Sequence, residues 1–248
     1  MKQKKQAQKP FPLEIPPRKY PFVNPIIVTK NKEIIDGQYR YSVCILDNYD
    51  IEFIQLDYSK EELYKQECID EIVKIKNEQS KNLEAYFRMY NIDYKTQMLY
   101  ASSDDKIKYF YAYKDKIKND GEFWSLLNDN YTSSSNNYNY KKELKELFTS
   151  TRPNKESLMN EAEREKIKNF PTEIKIYRGM SIIEEESKDY GISWSLNKNI
   201  AEKFAETYLH NYTTRNIPHI VKEIVIQKSE IVAYFEEREE EEIIYLGK

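Results

Sequence analysis

Between residues 26 and 56 the apolar positions come in short bursts: Ile26-Ile27-Val28, then Ile34-Ile35, then IEFIQL at 51–56. Runs of this length, rich in β-branched residues and parted by polar turns, predict three short strands. The period changes over 60–90, where Leu63, Ile69, Ile72, Val73 and Ile75 recur at helical spacing among lysines and glutamates and predict an amphipathic helix. A polar cluster, ASSDD at 101–105, follows an apolar stretch and is the expected boundary between an N-terminal domain (21–104) and a C-terminal one (105–248). YTSSSNNYNY at 131–140 reads as a surface loop, and helices are expected at 141–149 and 155–168, the second with Asn154 as its N-cap. Beyond Phe170-Pro171 the period drops to two. EIKIYR (173–178) places Ile174, Ile176 and Arg178 on one face of a strand, and an arginine that continues an apolar face points into a cleft or the end of a core. SWSLNKNIAEKFAETYL then passes from extended chain into a helix with Ile200, Ala201, Phe204, Ala205 and Tyr208 on one side, and IVKEIVIQ (220–227) and EEIIYL (241–246) read as closing strands. The fold class that follows is α+β.

Composition narrows the chemistry. The chain has 248 residues with 40% apolar side chains, ample for a core, and a formal charge of −3 that calls for no nucleic acid. Residues 1–20 carry Pro10, Pro12, Pro16 and Pro17 and read as a flexible arm without the apolar core of a leader peptide, so the expected location is the cytoplasm of a producing or an invaded cell, away from membranes. Cys44 and Cys68 lack any framework spacing and read as plain thiols. The five glycines are too widely spaced for GxGxxG or a P-loop, so a nucleotide would have to be held by another device. His210 and His219 stand in no ligand or triad spacing, and no metal is expected.

Three features then stand in order: Tyr177-Arg178-Gly179 at a strand end, Ser193-Trp194-Ser195 before a helix, and Arg238 followed by four glutamates at the opening of the last strand. This order resembles the R-S-E class of mono-ADP-ribosyltransferases over about residues 172–246, and implies a split β-sheet domain preceded by helices that takes NAD as a substrate. On that resemblance Glu242 is the catalytic carboxylate and Glu240, two positions earlier on the same strand face, assists the incoming nucleophile. Arg178 would offer a guanidinium fork to the NAD diphosphate or its ribose, flanked by Tyr177 and Gly179, and Ser193 would order the pocket and bond the ribose or the glutamate, with Ser195 in support. Tyr234 and Phe235 match the position of the family's target-recognition loop. The implied partners are NAD and a macromolecular acceptor, a protein side chain such as arginine before nucleic acid. The chemistry is coherent, because breaking the bond between nicotinamide and ribose develops positive charge on the sugar and a fixed carboxylate lowers that barrier. Plainer roles stand beside these: Arg178 as the partner of a buried glutamate, Ser195 or Asn197 as a helix cap, Trp194 as core, and Glu239 and Glu241 as solvated residues of the opposite face, with the alternative register making those two the catalytic pair.

NPIIVTKNKEIIDGQYRYSV with IEFIQL resembles the ParB/sulfiredoxin-like fold over about residues 22–58, in which a Gly-x-x-Arg box, here Gly37 to Arg40, binds phosphate or nucleotide at a helix start. Its plainer counterpart is a hairpin turn with a surface arginine. The two resemblances together give a small α/β domain followed by a transferase domain. The competing reading is a non-catalytic protein, a ParB-like module on a degenerate transferase fold that senses a nucleotide or docks a partner.

Overall fold

The computed structural model describes residues 25–36, 53–63, 65–207, 217–236 and 240–247. The chain forms two compact units, 1–68 and 69–248, and the division falls in the first turn of helix α1 (Gln66–Met89), ahead of the polar cluster at 101–105.

In the first unit β1 (Ile26–Val28) lies between β2 (Ile34–Asp36), to which it is antiparallel, and β3 (Phe53–Gln55), to which it is parallel. All three residues of β1 are buried, as expected of a central strand. The turn into β2 is built by Thr29, whose Oγ1 accepts from the Asn31 and Glu33 amides at 3.3 and 3.1 Å, with Lys32 at φ 64°. The three expected strands are therefore present. Gly37, Arg40 and Cys44 lie outside the described residues.

The second unit opens with helices. α1 buries Ile69, Ile72, Leu83 and Phe87, whereas Val73 of the same pattern is 47% exposed. α2 (Tyr94–Tyr100) is capped by Asp93, and α3 (Lys106–Tyr113) follows a turn in which Ser102 and Ser80 both donate to Asp105 at 3.0 and 2.9 Å. Lys76 meets Asp104 at 2.7 Å, so residues 101–105 tie α1 to the α2–α3 turn. α4 (Asp120–Thr132), capped by Asn119, buries Phe123, Trp124, Leu127 and Tyr131; Phe123 meets Phe110 of α3, and Tyr131 meets Phe148 of α5 (Lys141–Phe148), each at 5.4 Å. The expected 155–168 helix is broken. A 3-10 turn at Lys155–Leu158 precedes α6 (Glu161–Lys168), whose cap is Asn160 in a reciprocal capping box with Glu163. Asn154 sits instead at φ 60° with no capping bond, a left-handed conformation that asparagine tolerates.

The sheet follows: β4 (Glu173–Ser181), a short α7 (Ile182–Ser187), β5 (Ser193–Ser195), α8 (Lys198–Thr207), β6 (His219–Gln227), β7 (Ala233–Phe235) and β8 (Glu242–Ile244). Its order is β6-β4-β5-β8-β7 with every pairing antiparallel. Ile174, Ile176, Met180, Trp194, Ile226, Tyr234 and Ile243 form its core. α8 lies so close to β4 that a β-carbon on Gly179 would stand 2.1 Å from the Ala201 carbonyl oxygen. Tyr208 and His210 fall outside the described residues. Among the described residues no helix is long and apolar enough to cross a membrane.

Candidate active site

Strand β4 alternates exposed and buried residues, and Arg178 takes a buried position, 8% exposed. Its guanidinium is held on three sides. Nε donates to Glu184 Oε1 at 2.8 Å, Nη2 to Oε2 at 3.3 Å, and Nη1 to the Ser193 carbonyl at 2.6 Å. Glu184 belongs to α7, which Ser181 caps, and it also accepts the Gly191 amide at 2.7 Å. Gly191 makes room for the fork: a β-carbon there would be 2.3 Å from Nη2. Tyr138 flanks the group, its ring centroid 6.0 Å from Arg178 Cζ. The ion-pair role for Arg178 is thus present in the fold, and the Nε–Nη2 edge of its fork faces Glu184.

Glu242 opens β8, opposite Ser195 of β5 and Phe235 of β7. Its Oε1 accepts two hydroxyls, from Tyr131 at 2.5 Å and from Ser193. Tyr131, in the last turn of α4, is only 1% exposed. Burial first, and the neighbouring Glu242 charge second, push its phenol well above the usual tyrosine value, so the proton stays on the phenol and the bond points to the carboxylate. Ser193 therefore joins both halves of the cluster, through its hydroxyl to Glu242 and through its carbonyl to Arg178. Ser195 donates to the Glu240 carbonyl at 2.8 Å and accepts the Asn197 amide at 2.9 Å, while Asn197 accepts the Asn199 amide at 3.0 Å ahead of α8. The capping role and the supporting role coexist. Tyr177 stands directly across from Ser195.

Two expectations change here. Glu240 does not share a strand face with Glu242, because the strand begins only at Glu242 and Glu241 has φ +46°, which breaks the two-residue alternation. What fixes this bend is the main chain: the Glu241 carbonyl takes the Leu196 amide at 3.0 Å, next to the Ser195 bond to Glu240. Tyr234 and Phe235, expected to contact an acceptor, are 0% and 3% exposed. Strand β7 is covered on both faces, with Phe170 edge-on to Tyr234 at 5.6 Å and Tyr131 5.7 Å from Phe235, so these side chains serve the core. Trp194 is core as well, between Tyr190 and Tyr245.

The residues that sequence reasoning missed are Tyr131, Tyr138, Glu184 and Gly191. Tyr131 and Tyr138 belong to the segment read as a surface loop, yet the helical repeat Phe123, Leu127, Tyr131 already runs into its first residue. No local signal marks Glu184 within its run of three glutamates. Among the described residues no group of three or more histidines, cysteines or carboxylates could hold a metal ion. Comparison of the chain with protein-family models, with curated proteins and with solved structures found no match.

Proposed function

We propose that the C-terminal unit is a mono-ADP-ribosyltransferase that transfers ADP-ribose from NAD to a macromolecular acceptor, a protein side chain in the first instance. The observation that carries the reading is the convergence of Arg178, Ser193 and Glu242, from three strands, on one hydrogen-bonded cluster. A carboxylate with two hydroxyl donors on one oxygen is fixed in position before a substrate arrives, the condition under which it best stabilises the positive charge that grows on the ribose as nicotinamide leaves. Glu242 fills that role in this proposal. Glu240, on the bend beside it, takes up the proton of the attacking acceptor. Arg178 holds Ser193 through its carbonyl and adds positive charge for the diphosphate, with Glu184 orienting its plane. The finer fold assignment, a split transferase sheet behind a helical segment, belongs to the same proposal, and what supports it is the succession of helices followed by an antiparallel sheet.

The closed Arg178–Glu184 pair favours one competing reading, a non-catalytic protein in which the arginine is structural. Incubation of the full chain with labelled NAD and cell lysate, followed by protease or nuclease digestion, separates the two. Label on a macromolecule that falls at least about a hundred-fold in Glu242→Gln supports the transferase. Binding of NAD without release of nicotinamide, equal in wild type and Glu242→Gln, supports the binding protein and rejects the enzyme.

A further inference from the structure

The transferase-site residues read from the sequence all belong to the sheet region, yet the structure places a residue of the helical segment against the carboxylate. We infer that Tyr131 is a positioning residue, which holds Glu242 ionised and in a single orientation by donating its buried phenol to Oε1. The bond spans 111 residues of sequence and is 2.5 Å long. The donor has little freedom to do anything else. Its ring lies edge-on to Phe148 at 5.4 Å and 5.7 Å from Phe235, so the hydroxyl can reach Glu242 only while α4 stays packed on the sheet.

The groups around Glu242 make this donor matter. From β5 comes Ser193, uncharged, on the same oxygen. From β7 comes Phe235, apolar and in register with Glu242. From the preceding bend come Glu240 and Glu241, whose like charges work against an ionised neighbour. Among the described residues a positive charge stands nearby in Arg178 on β4, bonded to the Ser193 carbonyl and itself answered by Glu184. A carboxylate in this setting keeps its charge through hydroxyl donors, and Tyr131 and Ser193 both bond the charged form. The Tyr131 ring is held by Phe148 and Phe235, and burial keeps its phenol protonated, so the donor stays aimed at the carboxylate.

The consequence for turnover rests on the transferase reading; the binding constant of the proton does not. In the full chain with its glutamates carboxyl-labelled, and with the Glu242 signal assigned by its disappearance in Glu242→Gln, NMR follows the titration of that one carboxyl. The wild type should titrate below the ordinary glutamate range. Tyr131→Phe keeps the ring and should raise the midpoint by about one to two pH units, the shift that loss of one hydrogen bond to a charged group produces. In turnover, kcat of Tyr131→Phe should fall about ten-fold or more with KM little changed, and its acid limb should move up by the same interval. A wild-type Glu242 that titrates within or above the ordinary range overturns the inference without the tyrosine variant, and so does an unmoved midpoint in Tyr131→Phe. Absence of NAD consumption by the wild type, with the midpoint shift intact, would reject the transferase and leave the role of Tyr131 standing.

Discussion

Replacing Gly191 by alanine would drive a β-carbon to 2.3 Å from Nη2 and 2.7 Å from Cζ of Arg178, about an ångström or more inside ordinary contact. An exposed arginine would swing aside at little cost. This one is 8% exposed, and its displacement separates Nε from Glu184, now at 2.8 Å, and Nη1 from the Ser193 carbonyl, now at 2.6 Å. Removing one partner of a buried ion pair costs about 3–5 kcal/mol, and displacement with both charges retained should cost less, about 2–3 kcal/mol. At about 2–4 °C per kcal/mol, Tm of the C-terminal unit should drop by roughly 4–12 °C. Thermal and urea unfolding of wild type, Gly191→Ala, Glu184→Gln and the double variant closes a cycle. If alanine acts by breaking the pair, the double variant should be less destabilised than the two single changes together, by more than about 0.5 kcal/mol. A cost for Gly191→Ala below about 0.5 kcal/mol, or full additivity with Glu184→Gln, would refute the account of how Arg178 is held.

Gly179→Ala presses on backbone rather than on a side-chain end, 2.1 Å from the Ala201 carbonyl oxygen and 2.5 Å from the Ala205 nitrogen, so it should cost about 3 kcal/mol or more in urea unfolding and exceed Gly191→Ala. The raised phenol of Tyr131 has a signed consequence in alkali: its folded value lies above its unfolded one, so its contribution is complete below about pH 10 and declines as pH rises through the folded value. Wild type should therefore lose urea stability relative to Tyr131→Phe only as pH rises above about 10, and parallel curves there would reject the buried phenol. Glu241→Asn should gain about 0.5–1 kcal/mol, since asparagine accepts the φ of +46° better than glutamate does, and unchanged or lower stability would show that the bend carries no such strain.

Alternation was the strongest guide in the sequence. Ile174, Ile176 and Arg178 share the buried positions of β4 as their spacing predicts, and the apolar end of the acidic run does form a strand that begins at Glu242. Alternation fails where the backbone leaves the strand, which is why Glu240 could not be given a face: one residue at positive φ between it and Glu242 cancels the rule. Tyr131 was hidden for a different reason. Polar neighbours on its C-terminal side made the segment look solvated, and its partner lies 111 residues away, beyond any local pattern. The same holds for the burial of Tyr234 and Phe235, which depends on Phe170 and Tyr131 arriving from elsewhere in the chain.

The order of the five-stranded sheet also carries a schedule. Strand β8 sits between β5 and β7, and both of these neighbours precede it in the chain. Until β8 is made, each exposes an edge of three residues with nothing to pair against, a state open to wrong partners. Closing the sheet is thus a late, long-range event, and the strand that closes it is the one that delivers Glu242. A chain terminated before that point would lack both the keystone of its sheet and the carboxylate of the proposed site. On the transferase reading, assembly and competence arrive together.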